Sequence, residues 1–339
     1  MNKKMKMCSM LLGLALFAAC SSDDDVATPQ PKTYPLTIEV SENPLIPEGS
    51  AANAPATRAA ITTISTLSQF YMNYVFVDNS STTQTGLETA TRTADGKWEN
   101  SAGANKGWPN GAVGTDHDYN VTWYAYTNGS FNLNSGNPYI SFEAEEQANT
   151  QHDLLVSTAS GTYADTGGHL FFAFDHACSA LRFYVKKSTN LNDYTLSVSS
   201  IKLCNIIKKG DYYYNTSSWT LSGNRTEYTL YSGSAVPLGS SSTDYIPIYG
   251  TYGSAEAPYL FLIPQTLTAW DHTTNISSAT TQTYLEIECT ITQSSTPIYS
   301  GTAYIPFSAT LEKGIKYENV NINIGWKTLY KSDGKLIFS

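Results

Sequence analysis

Beyond about residue 33, no stretch of 11 or more residues repeats its apolar side chains at the spacing of a helix. What recurs instead is alternation. Leu36, Ile38 and Val40 alternate with polar partners in "YPLTIEV" (34–40), and "FYMNYVFV" (70–77), "NVTWYAY" (120–126) and "HDLLVSTAS" (152–160) follow, separated by segments rich in Gly, Asn, Asp and Ser. Side chains two residues apart share one face of a strand, and strand-like runs punctuated by turn residues are the pattern of β-sandwiches. The 24 tyrosines and a charged fraction of only 14% point the same way, because aromatic side chains suit a half-buried pleated surface. The chain is predicted to be all-β and mostly antiparallel.

One segment carries a change of phase. In "LFFAFDHACSALRFYV" (170–185), Leu170, Phe172, Phe174 and His176 share one parity, and Leu181, Phe183 and Val185 share the other. A one-residue shift turns the core face over, so a bulge or short turn is predicted near Ala177–Ala180. The charged stretch "KKSTNLND" (186–193) is the expected boundary between an N-terminal domain over 34–187 and a C-terminal domain over 188–339. Two cores are the default for a chain of this length, and 41% hydrophobic residues suffice to fill them. "SGSAVPLGSSSTD" (232–244) reads as a loop.

The N-terminus sets the compartment. Lys3, Lys4 and Lys6 precede a short apolar run, "CSMLLGLALFAA" (8–19), which ends on small residues directly before Cys20. This is the pattern of an export signal over residues 1–19, too short to span a bilayer as a helix. It reads as a bacterial lipoprotein signal, with lipid on Cys20, although Phe17 stands where Leu is usual; an ordinary cleaved secretory signal is the alternative. "SSDDD" opens a flexible linker over 20–33 and resembles the acidic tag that sends some lipoproteins to the outer face of the outer membrane. Losing the three signal lysines leaves 17 basic groups against 29 acidic ones, a net charge of −12, which disfavours nucleic acid, and no nucleic-acid partner is expected. With Cys8 lost and Cys20 lipidated, Cys178, Cys204 and Cys289 are too few for a disulfide framework and are expected to be buried thiols.

Candidate chemistry is thin. "DHD" (116–118) raises a metal, His176 with Cys178 a thiol nucleophile, and Glu143, Glu145 and Glu146 a carboxylate pair, but each has a plainer reading as solvated or structural residues. There is no Gly-rich phosphate loop, no zinc spacing and no nucleophile elbow. No catalytic residue, metal or cofactor is expected. The aromatic groups of "GDYYYNTSSW" (210–219), "WYAY" (123–126) and Trp108 offer an alternative function, a surface lipoprotein that stacks glycans without polymerising.

Four segments in order, "HDLLVSTAS", "LFFAFDHACSALRFYV", "YLFLIPQTLT" (259–268) and "LEKGIKYENVNINIG" (311–325), together resemble the fimbrillin family, the subunits of bacterial type V pili and their Mfa-like relatives. The similarity runs from about residue 55 to 325. It implies two β-sandwich domains of transthyretin-like topology, an outer-membrane lipoprotein precursor that ends in a fimbrium, and maturation by a trypsin-like protease cutting after Arg. It also implies polymerisation with other pilus subunits by β-strand exchange, and adhesion to a host or bacterial surface receptor.

Carried onto this sequence, the resemblance makes Leu36, Ile38 and Val40 the inward face of a displaceable strand that fills the first domain's sheet until the chain is cut after Arg58. Burying three such side chains contributes on the order of 5–9 kcal/mol, so an expelled strand leaves a groove that another chain must fill. The connector over 41–58, with Pro44, Pro47, Gly49 and Pro55, discourages regular structure and is open to a protease. Residues 327–339 form a hairpin or an extended arm in which Leu329, Leu336 and Phe338 suit groove pockets as a donor; alternatively they close the chain's own second domain.

Overall fold

The structure, a computed structural model, describes residues 34–49, 64–100, 107–146, 151–240, 246–247 and 258–338. The alternating runs of the first half become β1 (Thr37–Glu42), β2 (Ile46–Pro47), β3 (Gln69–Val77), β4 (Thr83–Arg92), β5 (Trp98–Asn100), β6 (Val121–Tyr126), β7 (Ser130–Asn134), β8 (Asn137–Glu143) and β9 (Leu155–Gly161). A four-residue helix, α1 (Tyr163–Thr166), precedes β10 (His169–His176). The second half holds β11 (Ser179–Lys187), β12 (Thr195–Tyr213), β13 (Ser218–Pro237), β14 (Ile246–Pro247), β15 (Leu260–Leu262) and β16 (Thr266–Leu267), then β17 (Tyr284–Gln293), β18 (Thr296–Pro306), β19 (Ala309–Thr310) and β20 (Ile315–Ile324). The all-β prediction holds.

In the first half, β1, β10, β9, β6, β3, β4 and β5 pair in that order and close into a barrel. Period-two alternation turns Phe70 and Met72 of β3, Trp123 of β6, and Phe172 and Phe174 of β10 into a fully buried interior. Phe70 meets Phe172 and Phe174 edge to face, with ring centroids 5.9 and 5.1 Å apart. Strands of both halves build two further sheets: β14, β11, β20 and β2 form one, with β15 also on β11; β18, β17, β12, β8 and β7 form another, with β13 on β12. Leu181, Phe183, Val198, Ile201, Ile287 and Ile324 meet in the core between these sheets.

A third core cluster, including Leu45, Ile140, Leu154, Cys178, Tyr212 and Ile263, joins elements from both sides of residue 187. It exists because β12 is long: Thr195–Cys204 pairs with β17, Lys209–Tyr213 pairs with β8, and β13 runs along the other edge. Residues 232–237, expected to be loop, are the end of β13, where Ser232 pairs with Ser200 and Val236 with Val198. Their small side chains are mostly exposed, so the partner strand rather than burial decides their conformation.

The phase change falls where it was predicted. β10 ends at His176 and β11 begins at Ser179, with Leu170, Phe172 and Phe174 buried before the break and Leu181, Phe183 and Val185 buried after it. Among the described strands three pairings run parallel, β1 with β10, β11 with β20 and β2 with β20, a feature that alternation within single strands does not reveal.

Candidate functional site

β1 lies against β10 along its whole length, from Thr37 opposite His169 to Glu42 opposite Phe174, while its other edge meets β5 at a single pairing, Ile38 with Trp98. Its alternation explains the placement: Ile38 is buried, Val40 and the preceding Leu36 are half-buried against the barrel core, and Glu39 is exposed. A cleft lined by Ile38, Glu39, Arg92, Lys97, Trp98 and Phe171 runs along the strand. Because only Ile38 of the three apolar residues is fully buried, their burial contributes less than the 5–9 kcal/mol expected, roughly half of it.

The segment does not stop at the barrel. The Asn43 amide donates to the Phe174 carbonyl (2.8 Å), Leu45 is buried in the third cluster, and β2 joins the second sheet through the Ile46 amide on Gly314 (2.8 Å) and the Glu48 amide on Lys316 (3.0 Å). Residues 34–48 therefore occupy one continuous slot, first beside β10 and then beside β20. Gly168 lets the strand in. It has φ of +80°, and a Cβ there would lie 2.2 Å from the Pro35 carbonyl oxygen.

A charged cluster closes the far end of β1. Glu42 continues the inward parity of Ile38 and Val40, and its carboxylate receives two donors, His176 Nε2 on Oε1 (3.0 Å) and the Ile64 amide on Oε2 (2.5 Å). The other ring nitrogen of His176, Nδ1, bonds a buried carboxylate oxygen of Asp153. Burial alone would lower the imidazole's pKa, but the hydrogen bonds and charges of Asp153 and Glu42 outweigh it and hold it at about 9. His176 is thus an imidazolium at neutral pH that donates from both nitrogens, which leaves no lone pair for a metal. Beside it, burial pushes the Cys178 thiol well above its ordinary range, the reverse of what a nucleophile needs.

The other expected residues fall as follows. Cys20 and Arg58 lie outside the described residues, as does Ser339. The tail is a hairpin docked on its own half of the molecule: Tyr330 and Tyr304 exchange backbone hydrogen bonds (2.9 Å each), the Lys331 amide donates to Lys335, and the Ile337 amide donates to Leu329. Leu329 is fully buried, Leu336 is half-buried and bridges Tyr330, and Phe338 stacks on Trp326 with ring centroids 5.4 Å apart. Cys178, Cys204 and Cys289 are buried free thiols.

The remaining chemical candidates have structural partners. Asp118 accepts the Tyr163 and Ala164 amides at the start of α1, and Lys208 bridges Glu143 and Glu146 at 2.9 and 2.8 Å. Of the aromatic groups that suggested glycan stacking, Trp108, Trp123 and Tyr212 are core residues, and the indole N–H of half-buried Trp219 donates to the Ala177 carbonyl. Sequence reasoning missed Glu42, Asp153 and Leu45. Glu42 had a signal, a charged residue on the apolar parity of β1; Asp153 and Leu45 had none without the fold.

The sequence profile of the family described as fimbrillin-like matches residues 57–335. No curated protein matches the chain. Among solved structures, a fimbrial protein from Bacteroides vulgatus is similar with a TM-score of 0.52 at 18% identity, covering 85% of this chain and 95% of that one. Two proteins with a provisional cell-adhesion assignment are similar at 14% identity: one from Bacteroides ovatus (TM-score 0.46, 88% of this chain and 95% of that one), and one from Bacteroides uniformis (TM-score 0.44, 79% and 91%). At 18% identity the likeness to the Bacteroides vulgatus protein speaks for the fold alone.

Proposed function

The chain belongs to the fimbrillin-like family, and on that premise we propose that it is a structural or adhesive subunit of a type V pilus, assembled by strand exchange after proteolysis near Arg58. The observation that carries this reading is β1: a strand paired along β10, half of whose apolar contact is shallow, on a segment that precedes Arg58. Cutting after Arg58 would leave residues 34–48 held by non-covalent contacts alone. A neighbouring subunit's strand then takes their place, with main-chain hydrogen bonds supplying affinity and alternate side chains supplying specificity. The open sheet edge that proteins ordinarily guard becomes the means of assembly.

In this reading Cys20 carries the lipid that holds the precursor at the outer membrane, a trypsin-like protease releases it, and the molecule serves adhesion to a surface receptor without chemistry of its own. Residues 327–338 act as donor only by peeling from their own core, since Leu329 is buried there. Limited trypsin digestion of the full chain, followed by N-terminal sequencing and denaturing gels, tests the proposal. A clip after Arg58 followed by ladders of multimers is expected. Chains that are verifiably cut there, lose the N-terminal fragment and stay monomeric with every co-expressed subunit would overturn it.

A further inference from the structure

We infer that the strand replacing β1 must bring a carboxylate side chain to the position of Glu42, so that the slot selects an acidic partner strand from a neighbouring subunit. The inference rests on the strand-exchange reading above and adds what the incoming strand must contain. Two donors converge where Glu42 sits, the His176 imidazolium at 3.0 Å and the Ile64 amide at 2.5 Å, one on each carboxylate oxygen. Both donors belong to parts of the molecule that stay behind: His176 ends β10, and Ile64 lies beyond Arg58 in the chain. When β1 leaves, Glu42 leaves with it.

A refilled slot is again shut off from water, since the His176 side chain is 2% exposed and that of Glu42 13%. A buried donor without an acceptor is costly, more so when it is charged. An apolar side chain satisfies neither donor. A glutamine offers one oxygen and turns its NH₂ group toward the other donor. Only a carboxylate accepts from both, and it also faces the imidazolium with the opposite charge. Asp153 cannot substitute, because it meets the imidazole at Nδ1, on the side of the ring away from Nε2.

For a strand entering parallel to β10, as β1 does, the required pattern is apolar, any, apolar, any, acidic, the pattern of Ile38, Val40 and Glu42. The outward positions Glu39 and Ser41 carry no such demand. The slot thus discriminates by leaving its own buried donors unpaired with a wrong partner.

The test uses the full chain cut after Arg58, or at a specific protease sequence installed over 51–58, and measures exchange of the bound N-terminal fragment for labelled synthetic peptides spanning residues 34–45. The wild-type peptide is expected to enter the slot, the Glu39→Gln peptide to match it, and the Glu42→Gln peptide to need at least about tenfold higher concentration, the factor set by one lost charge-assisted hydrogen bond. In a His176→Gln chain the wild-type and Glu42→Gln peptides should compete nearly equally, which a general loss of strand affinity would not produce. Because the Glu39→Gln and Glu42→Gln substitutions reside in the peptides, folding of the wild-type chain is not at issue in that comparison. Equal entry of the wild-type and Glu42→Gln peptides overturns the inference while leaving strand exchange intact. Refusal of every peptide by a chain that has shed its fragment overturns the strand-exchange reading, and this inference with it.

Discussion

At the scale of single residues, His176 and Gly168 hold β1 by different means. The His176 pKa is about 9 in the folded protein against an ordinary 6.5, so the proton is bound more tightly when folded. The resulting stabilisation, about 3 kcal/mol, is complete below pH 6.5 and is lost as pH rises through 9. Denaturant titrations at pH 6 and pH 9.5 should show that loss in the wild type, and a His176→Gln variant should show a smaller difference between the two pH values. Gly168 acts through backbone shape. With φ of +80° and the Pro35 carbonyl where a Cβ would be, Gly168→Ala should destabilise the chain by about 1–3 kcal/mol and speed hydrogen exchange at the Thr37 amide, which donates to the Gly168 carbonyl (2.8 Å).

At the scale of elements, what was legible in the sequence is what alternation encodes. The strands Gln69–Val77 and Val121–Tyr126 and the break between His176 and Ser179 follow from which parity is apolar. Pairing partners are not encoded that way. Nothing local to Thr37–Glu42 says that it runs parallel to β10, or that the next few residues cross to β20, because both facts depend on residues more than a hundred positions away. The end of β13 escaped for the opposite reason: Ser232–Val236 has little to bury and is a strand only because β12 continues beside it. The tail was open between an arm and a hairpin, and burial of Leu329 decides in favour of a docked hairpin in the uncut chain. Leu329→Ala should therefore cost about 2–5 kcal/mol in a denaturation experiment, whereas Phe338→Ala, at a half-buried position, should cost less. An undocked arm would make both substitutions neutral. Gly334 supports the docking, since it has φ of +81° and a Cβ there would strike the carbonyl of His272.

At the scale of the whole molecule, residues 34–48 touch both the barrel and the second sheet, so excising them should loosen both at once. Hydrogen exchange on the cut and fragment-stripped chain is expected to show lost protection in β10 and β20 together, with β3 and β17, which the segment does not pair with, changing least. A loss confined to β10 would mean that β2 contributes nothing to holding the segment. The covalent tether adds a further property. An occupant joined to its own slot is present at millimolar effective concentration, far above what free neighbours reach in dilute solution. Each newly made molecule thus carries one safety catch in a fixed ratio of one to one, whatever the rate of synthesis, and fibre growth is metered by scission events and not by how much protein has accumulated.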